Sequence, residues 1–277
     1  MGWRVLSCVF EGEELFCQKP EDFLLASQDK NQWRLFGGHR LWFAPEDRVL
    51  SYLSDNFPPE IRVEGEKLHL LAQGQKSQVS RGLELAFWEC EGFPCVLLRH
   101  SFVNKSLWPL ELAFWTITAL KEGARGLIPL GQYRSHQESL NPKNHIVIWS
   151  YTNLQDERFT FHPEYVMVSQ VKKDPQKIGS FVMEGWLAAE VGTTLFLKIF
   201  PVYDQHLYPD RGANAEIFTD NSLLELECLS PFLTIKSEET LYFPELWVFS
   251  KRSREGLYEQ ASEIFHKLRH HIPKVLV

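Results

Sequence analysis

The sequence predicts an all-β fold, and three observations carry that expectation. Short runs rich in β-branched and aromatic residues alternate apolar and polar positions, as strands with one buried face do. Gly, Pro, Asn and Asp separate these runs at intervals that suit strand-to-strand turns. Only one stretch, near the C-terminus, has a convincing helical period. Short strands so spaced point to a sandwich or barrel.

The elements follow in chain order. Gly37-Gly38 permit a bend or a close backbone approach ahead of a run that begins at His39. The hexapeptide Leu-Glu-Leu-Ala-Phe-Trp occurs twice, at 83–88 and 110–115. In the second copy Leu110, Leu112 and Phe114 fall on one face, and Glu111, Ala113 and Trp115 on the other. No longer self-similarity accompanies it, so two strands meeting one packing problem explain it better than a solenoid or propeller. Further strands are expected at 145–151, 165–171, 194–200 and 223–229. Between Ser253 and His271, Leu257, Ala261, Ile264 and Leu268 trace a helical stripe. Ser253 is the candidate cap of this helix and Pro273 marks its end. His270 and His271 are adjacent on it and do not face one ligand, so no metal is expected there.

The chain has 277 residues, of which 44% are hydrophobic, enough for a sizeable core. No linker or shift of composition divides it, so a single domain over 1–277 is expected. With 29 basic against 36 acidic residues the net charge is -7, which argues against nucleic acid and against an anionic membrane surface. A neutral ligand fits this balance. The five cysteines form no Cys-x-x-Cys pair, so structural zinc is not expected. The apolar patch Val5 to Phe10 is followed at once by Glu11, Glu13 and Glu14, and is too short for a signal segment. No apolar run is long enough to cross a bilayer. The expected location is the cytoplasm, with reduced thiols.

Three clusters could carry chemistry. In the first, 37–46, His39 and Arg40 offer an imidazole and a five-donor guanidinium, with Trp42 following. That set suits a hydroxyl-rich ligand, Arg fixing oxygens and Trp stacking on a sugar face. A bent strand with a paired Arg and a core Trp explains it equally well. In the second, 208–216, Asp210 belongs to turn chemistry, while Asn214 and Glu216 share a face of any following strand and line a cleft or face solvent. In the third, 223–231, alternation puts Glu225 and Glu227 together, opposite Leu224, Leu226 and Cys228. Carboxylates partly withdrawn from water are raised towards the working range of a general base, and an ordinary solvated strand face is the competing reading. Gln132, after Gly131, lines the site or belongs to a plain turn. Nucleophile-elbow, phosphate-loop, dinucleotide and zinc-protease motifs are absent from the sequence.

Taken in this order, the clusters resemble an uncharacterised prokaryotic family related to galactose mutarotase (aldose 1-epimerase). The residues that carry the likeness are Gly37 to Trp42 with Ala44-Pro45-Glu46, Asn104 to Trp115, Asp210-x-Gly212-x-Asn214-x-Glu216, Leu224 to Glu227 and Pro244 to Trp247. The resemblance implies a galactose mutarotase-like supersandwich of large antiparallel sheets, with a carbohydrate site on a concave face. It implies a Glu, here Glu225 or Glu227, that takes the anomeric proton, and a His that protonates the ring oxygen. The strand around Trp115 lacks that His, and His39 is the substitute. Arg40, Trp42, Trp115, Gln132, Asp210, Asn214 and Glu216 would then contact the sugar. No cofactor or metal is implied. Three functions follow from these residues: an aldose 1-epimerase-type isomerase, a non-catalytic sugar-binding protein on the same scaffold, and a structural or interaction module.

Overall fold

The computed structural model describes residues 4–29, 31–72 and 77–270. Two large antiparallel sheets pack against each other. One has ten strands in the order Phe159–Phe161, Tyr165–Ser169, Arg125–Pro129, Trp186–Val191, Thr194–Ile199, Thr240–Lys251, Phe93–Asn104, Val79–Cys90, Lys67–Ala72 and Glu60–Glu64. The second has seven strands. Its order is Ile146–Ile148, Gln176–Ser180, Ala215–Thr219, Leu224–Leu229, Leu110–Leu120 and Leu233–Ile235, with Gly38–Ala44 also paired to Leu110–Leu120. This is the all-β supersandwich, and a helix at Leu257–Leu268 completes it.

Alternation explains how the layers form. Leu41, Phe43, Phe114 and Leu226 from the seven-stranded sheet meet Leu98, Phe102, Phe196 and Trp247 from the ten-stranded one in a single core. Phe102 and Phe114 stack across it at 4.2 Å between ring centroids. On its other side the ten-stranded sheet carries Trp186, Leu195, Leu197 and Val248, and the helix covers them with Leu257, Ala261, Ile264 and Leu268. The helical stripe is therefore a packing surface.

Several boundaries differ from expectation. The helix starts at Leu257, after Gly256, because the Ser253 hydroxyl accepts the Glu255 N–H and organises the approach instead of capping. His271 and Pro273 lie outside the described residues. A second helix, Pro20–Gln28, buries only Ala26, so no apolar stripe announces it; Pro20 at its first turn, followed by Glu21 and Asp22, suits a helix start. Of the run 145–151 only Ile146–Ile148 is strand, since a turn closes from the Thr152 N–H to the Trp149 carbonyl. The two identical hexapeptides sit in different sheets. Phe87 is 60% exposed and Phe114 fully buried, so the same letters serve different surroundings.

Gly37 and Gly38 hold φ of 82° and 69°. A Cβ on either would collide with backbone, at the Cys17 carbonyl and the Val5 carbonyl respectively. These close approaches lead the N-terminal segment against the start of Gly38–Ala44, which fixes the register of Arg40 and Trp42.

Candidate functional site

Three neighbouring strands of the seven-stranded sheet point their charged and aromatic residues away from the core. Gly38–Ala44 sends Leu41 and Phe43 inward and Arg40 and Trp42 outward; Leu110–Leu120 sends Leu112 and Phe114 inward and Trp115 outward. Leu224–Leu229 sends Leu224, Leu226 and Cys228 inward and Glu225 and Glu227 outward. Register then aligns them: Trp42 faces Trp115, while Arg40 and Glu227 both face Ile117, and Glu227 faces Glu216 on the next strand. Lys177 and Gly179 reach the same face from Gln176–Ser180. Gly179 leaves room there, for a Cβ on it would lie 3.2 Å from both the Glu216 side chain and the Trp149 ring.

The outcome is a buried cluster of two cations, three carboxylates and several indoles. The Arg40 guanidinium donates to Glu225 Oε1 at 2.8 Å and lies 4.6 Å from the Trp42 ring centroid. Lys177 Nζ donates to Glu227 Oε2 at 2.8 Å and sits 2.7 Å from Glu216 Oε2. It also lies 4.6 Å from the centroids of both Trp115 and Trp149. Trp115 Nε1 donates to Glu227 Oε2 at 2.6 Å. Trp42 is boxed by Trp115, Trp33 and Tyr52, at centroid distances of 5.4, 5.3 and 5.3 Å. Arg40 Nε and Trp42 Nε1 are buried donors without a hydrogen-bond partner among the described residues.

Charge balance sets the protonation states. Three carboxylates share two cations, so one negative charge is in excess. Burial raises the Glu216 carboxyl well above its ordinary range, and the Glu227 and Asp210 charges raise it further against the opposing pull of Lys177. Glu225 is also raised, by burial, although Arg40 opposes this. Burial alone would lower Lys177, but Glu216 and Glu227 outweigh it and push the ammonium above its ordinary value. Burial thus biases Glu216 towards its protonated form. A carboxyl raised on folding stabilises fully below its unfolded value, near 4.5, and this contribution is lost as pH rises through the folded value. Relative to Glu216→Gln, the unmodified chain therefore loses melting temperature as pH climbs above 4.5. Parallel Tm-versus-pH curves for the two proteins would contradict this.

The structure thus brings together Arg40, Trp42, Trp115, Glu216, Glu225 and Glu227, with Asp210 close enough for its charge to act on Glu216. Asn214 is buried and its amide is engaged at both ends by the Val182 backbone, so it braces the chain before Ala215–Thr219. Gln132 is exposed in the segment after Arg125–Pro129, a strand of the other sheet. His39 lies between the sheets, on the opposite side from Glu225 and Glu227, because it shares the parity of Leu41 and Phe43. Lys177, Trp149 and Tyr52 were not singled out by sequence. The segment 176–180, Gln-Lys-Ile-Gly-Ser, carries no motif, and its link to Glu216 and Glu227 exists only in the folded sheet.

A second polar group occupies the interior. His100 Nδ1 lies 3.0 Å from the Phe243 carbonyl, which only accepts, so Nδ1 bears the hydrogen and Nε2 is an acceptor. His39 Nε2 then donates to His100 Nε2 at 2.8 Å, and His39 Nδ1 accepts from Thr118 Oγ1 at 2.9 Å. Burial, together with the Lys198 charge, pushes both imidazoles below their ordinary range, which keeps them neutral as this chain of bonds requires. Glu245 accepts from Thr116 and from Trp247 Nε1, and lies 3.4 Å from Lys198 Nζ. The ligand atoms of His39, His100 and Glu245 all fall within 4.8 Å of one another, a donor set able to hold a metal ion. Lys198 already supplies the positive charge that Glu245 needs.

No family model and no curated protein matches the sequence. Solved structures do match in fold. The Slr1438 protein from Synechocystis is 10% identical over 88% of this chain and 87% of its own, with a TM-score of 0.56. A candidate mutarotase, YeaD from Salmonella typhimurium, is 11% identical over 90% of this chain and 84% of its own, with a TM-score of 0.51. A TPR-domain containing protein from Parabacteroides distasonis is 12% identical, covering 91% of this chain but 44% of its own, at 0.52. At these identities the likeness is one of architecture. What it shows is the fold, a β-supersandwich of large antiparallel sheets.

Proposed function

We propose that the chain binds an aldose against Trp42 and Trp115 and interconverts its anomers. The observation that carries this reading is the pair Glu216 and Glu227, cross-strand neighbours bridged by Lys177 on the outward face. Glu227 takes the proton from the anomeric hydroxyl as the bond from C1 to the ring oxygen breaks, and Glu216 gives its proton to that oxygen. The open-chain aldehyde rotates about C1–C2, and closure on the other face returns both protons to their starting carboxyls. Lys177 holds the two carboxyls in register, and Arg40 orders Glu225 beside them. His39 has no part in this scheme, since the sheet separates it from the carboxylates. A single domain and a cytoplasmic location remain parts of the proposal. Among the described residues no helix is long and apolar enough to cross a membrane.

One observation favours non-catalytic binding on the same scaffold: Arg40 and Lys177 already engage Glu225 and Glu227. Saturation-transfer NMR with free hexoses, pentoses and hexose 6-phosphates tests what the two readings share. Contact with at least one sugar is expected, weakened in Trp115→Ala. Silence across the panel contradicts both.

A further inference from the structure

Beside the carboxylate cluster lies a cavity of about 480 Å³ lined by His145, Gln205, His206, Tyr208, Arg211 and Gly212. Tyr208 joins the two places. One side of it lines the cavity, and its ring packs in the same cluster as Trp42 and Trp115. The lining contains no carboxylate, in a chain whose net charge is -7.

Arg211, His145 and His206 offer it donors, while the Tyr208 hydroxyl accepts from the Tyr203 N–H. The Arg211 guanidinium is exposed and forms no ion pair among the described residues. The Gln205 amide donates to His145 Nδ1 at 2.8 Å, which leaves the hydrogen of His145 on Nε2. That Nε2 is buried and has no acceptor among the described residues. His206 is exposed at the rim, its backbone N–H fixed by the Asp204 side chain at 3.1 Å.

The backbone holds Arg211 here at a cost. Asp210 and Arg211 sit at φ 50° and 58°, and Gly212 follows at 87°, so three consecutive residues are left-handed. Arginine gains nothing locally from that conformation, which is strained for a residue carrying a Cβ. The same turn brings Asp210 towards Glu216 and leaves Arg211 at the cavity.

We propose that this cavity is an oxyanion subsite that takes the phosphate of a phosphorylated sugar, through Arg211, the Nε2–H of His145 and His206. The sugar part of this assignment rests on the function proposed above; the anion site itself does not. Guanidinium and imidazole N–H groups suit a phosphate's several acceptor oxygens, whereas a neutral hydroxymethyl group would leave most of these donors unused. A phosphate seated here would leave the sugar ring on the Tyr208 side, towards Trp42 and Trp115.

Calorimetric titration of the full chain with inorganic phosphate, a hexose and the corresponding hexose 6-phosphate tests this. Arg211→Gly is the informative variant, since glycine accepts φ 58° and preserves the turn while removing the guanidinium. His206→Ala is the second variant, at an exposed position. Inorganic phosphate and the hexose 6-phosphate are expected to bind the unmodified chain, with the phosphate ester preferred over the free hexose. Both variants should weaken phosphate and ester about tenfold or more, a loss of charge-assisted hydrogen bonds. Equal affinity of both variants and the unmodified chain for phosphate, or no phosphate binding at all, overturns the proposal. Binding of the free hexose as tightly as its ester overturns it too, while leaving the sugar reading intact. Arg211-dependent binding of inorganic phosphate without any sugar supports the anion site and removes the sugar reading instead.

Discussion

Glu227→Gln is expected to slow anomer exchange by a factor of about 10²–10⁴, the usual contribution of one positioned proton-transfer group. The amide keeps the shape of the carboxylate and its carbonyl oxygen still accepts from Trp115 Nε1, so the fold survives. What it loses is the capacity to take a proton. Glu216→Gln should slow exchange as well, because an amide cannot act as the acid the scheme assigns to Glu216. The double variant should be little slower than Glu227→Gln alone, since the two groups act as one unit. Exchange by NMR line shape or saturation transfer, beside circular dichroism to check folding, reads this out. A Glu227→Gln protein that exchanges anomers at the unmodified rate would remove Glu227 from the mechanism.

The largest loss of stability is expected away from that face, from Lys198→Met. Lys198 and Glu245 are both fully buried, and Glu245 is held below the ordinary carboxylate range despite its burial, chiefly through Lys198 and its hydrogen bonds from Thr116 and Trp247. Removing the cation strands a buried carboxylate, which costs about 3–5 kcal/mol. Adding Glu245→Gln should recover part of that loss, because the amide oxygen still accepts from Thr116 or Trp247 without a charge to bury. Urea midpoints for the two single variants and the double variant measure the coupling. A Lys198→Met protein as stable as the unmodified chain, or a double variant less stable than both singles, would contradict the account of this interior pair.

Much of the outward face was legible because strands alternate with a period of two. That rule alone set Glu225 with Glu227 and Trp115 apart from Phe114, and the register carried Arg40 and Glu216 to the same place. The same rule also places His39 inside, since Leu41 and Phe43 share its parity. The acid's role expected of His39 came from the family resemblance, and the parity of its strand turns the imidazole to the inner face instead. Lys177 was not legible, because a lysine between Gln176 and Ile178 looks like any solvated strand residue until the sheet sets it between Glu216 and Glu227. Lys198 escaped for the same reason, its partner Glu245 lying on the neighbouring strand Thr240–Lys251. The helix Pro20–Gln28 lacked an apolar stripe to read. Period and parity survive in a sequence, whereas pairings between distant strands arise only when the sheet closes.

The most direct test of the central claim is the rate of anomer exchange with the unmodified chain, measured by NMR across free hexoses, pentoses and hexose phosphates. Exchange of at least one of these sugars faster than in buffer alone, and slowed by Glu227→Gln, is the predicted result. Sugars that contact the protein by saturation transfer yet exchange at their spontaneous rate would contradict the isomerase and leave a binding protein.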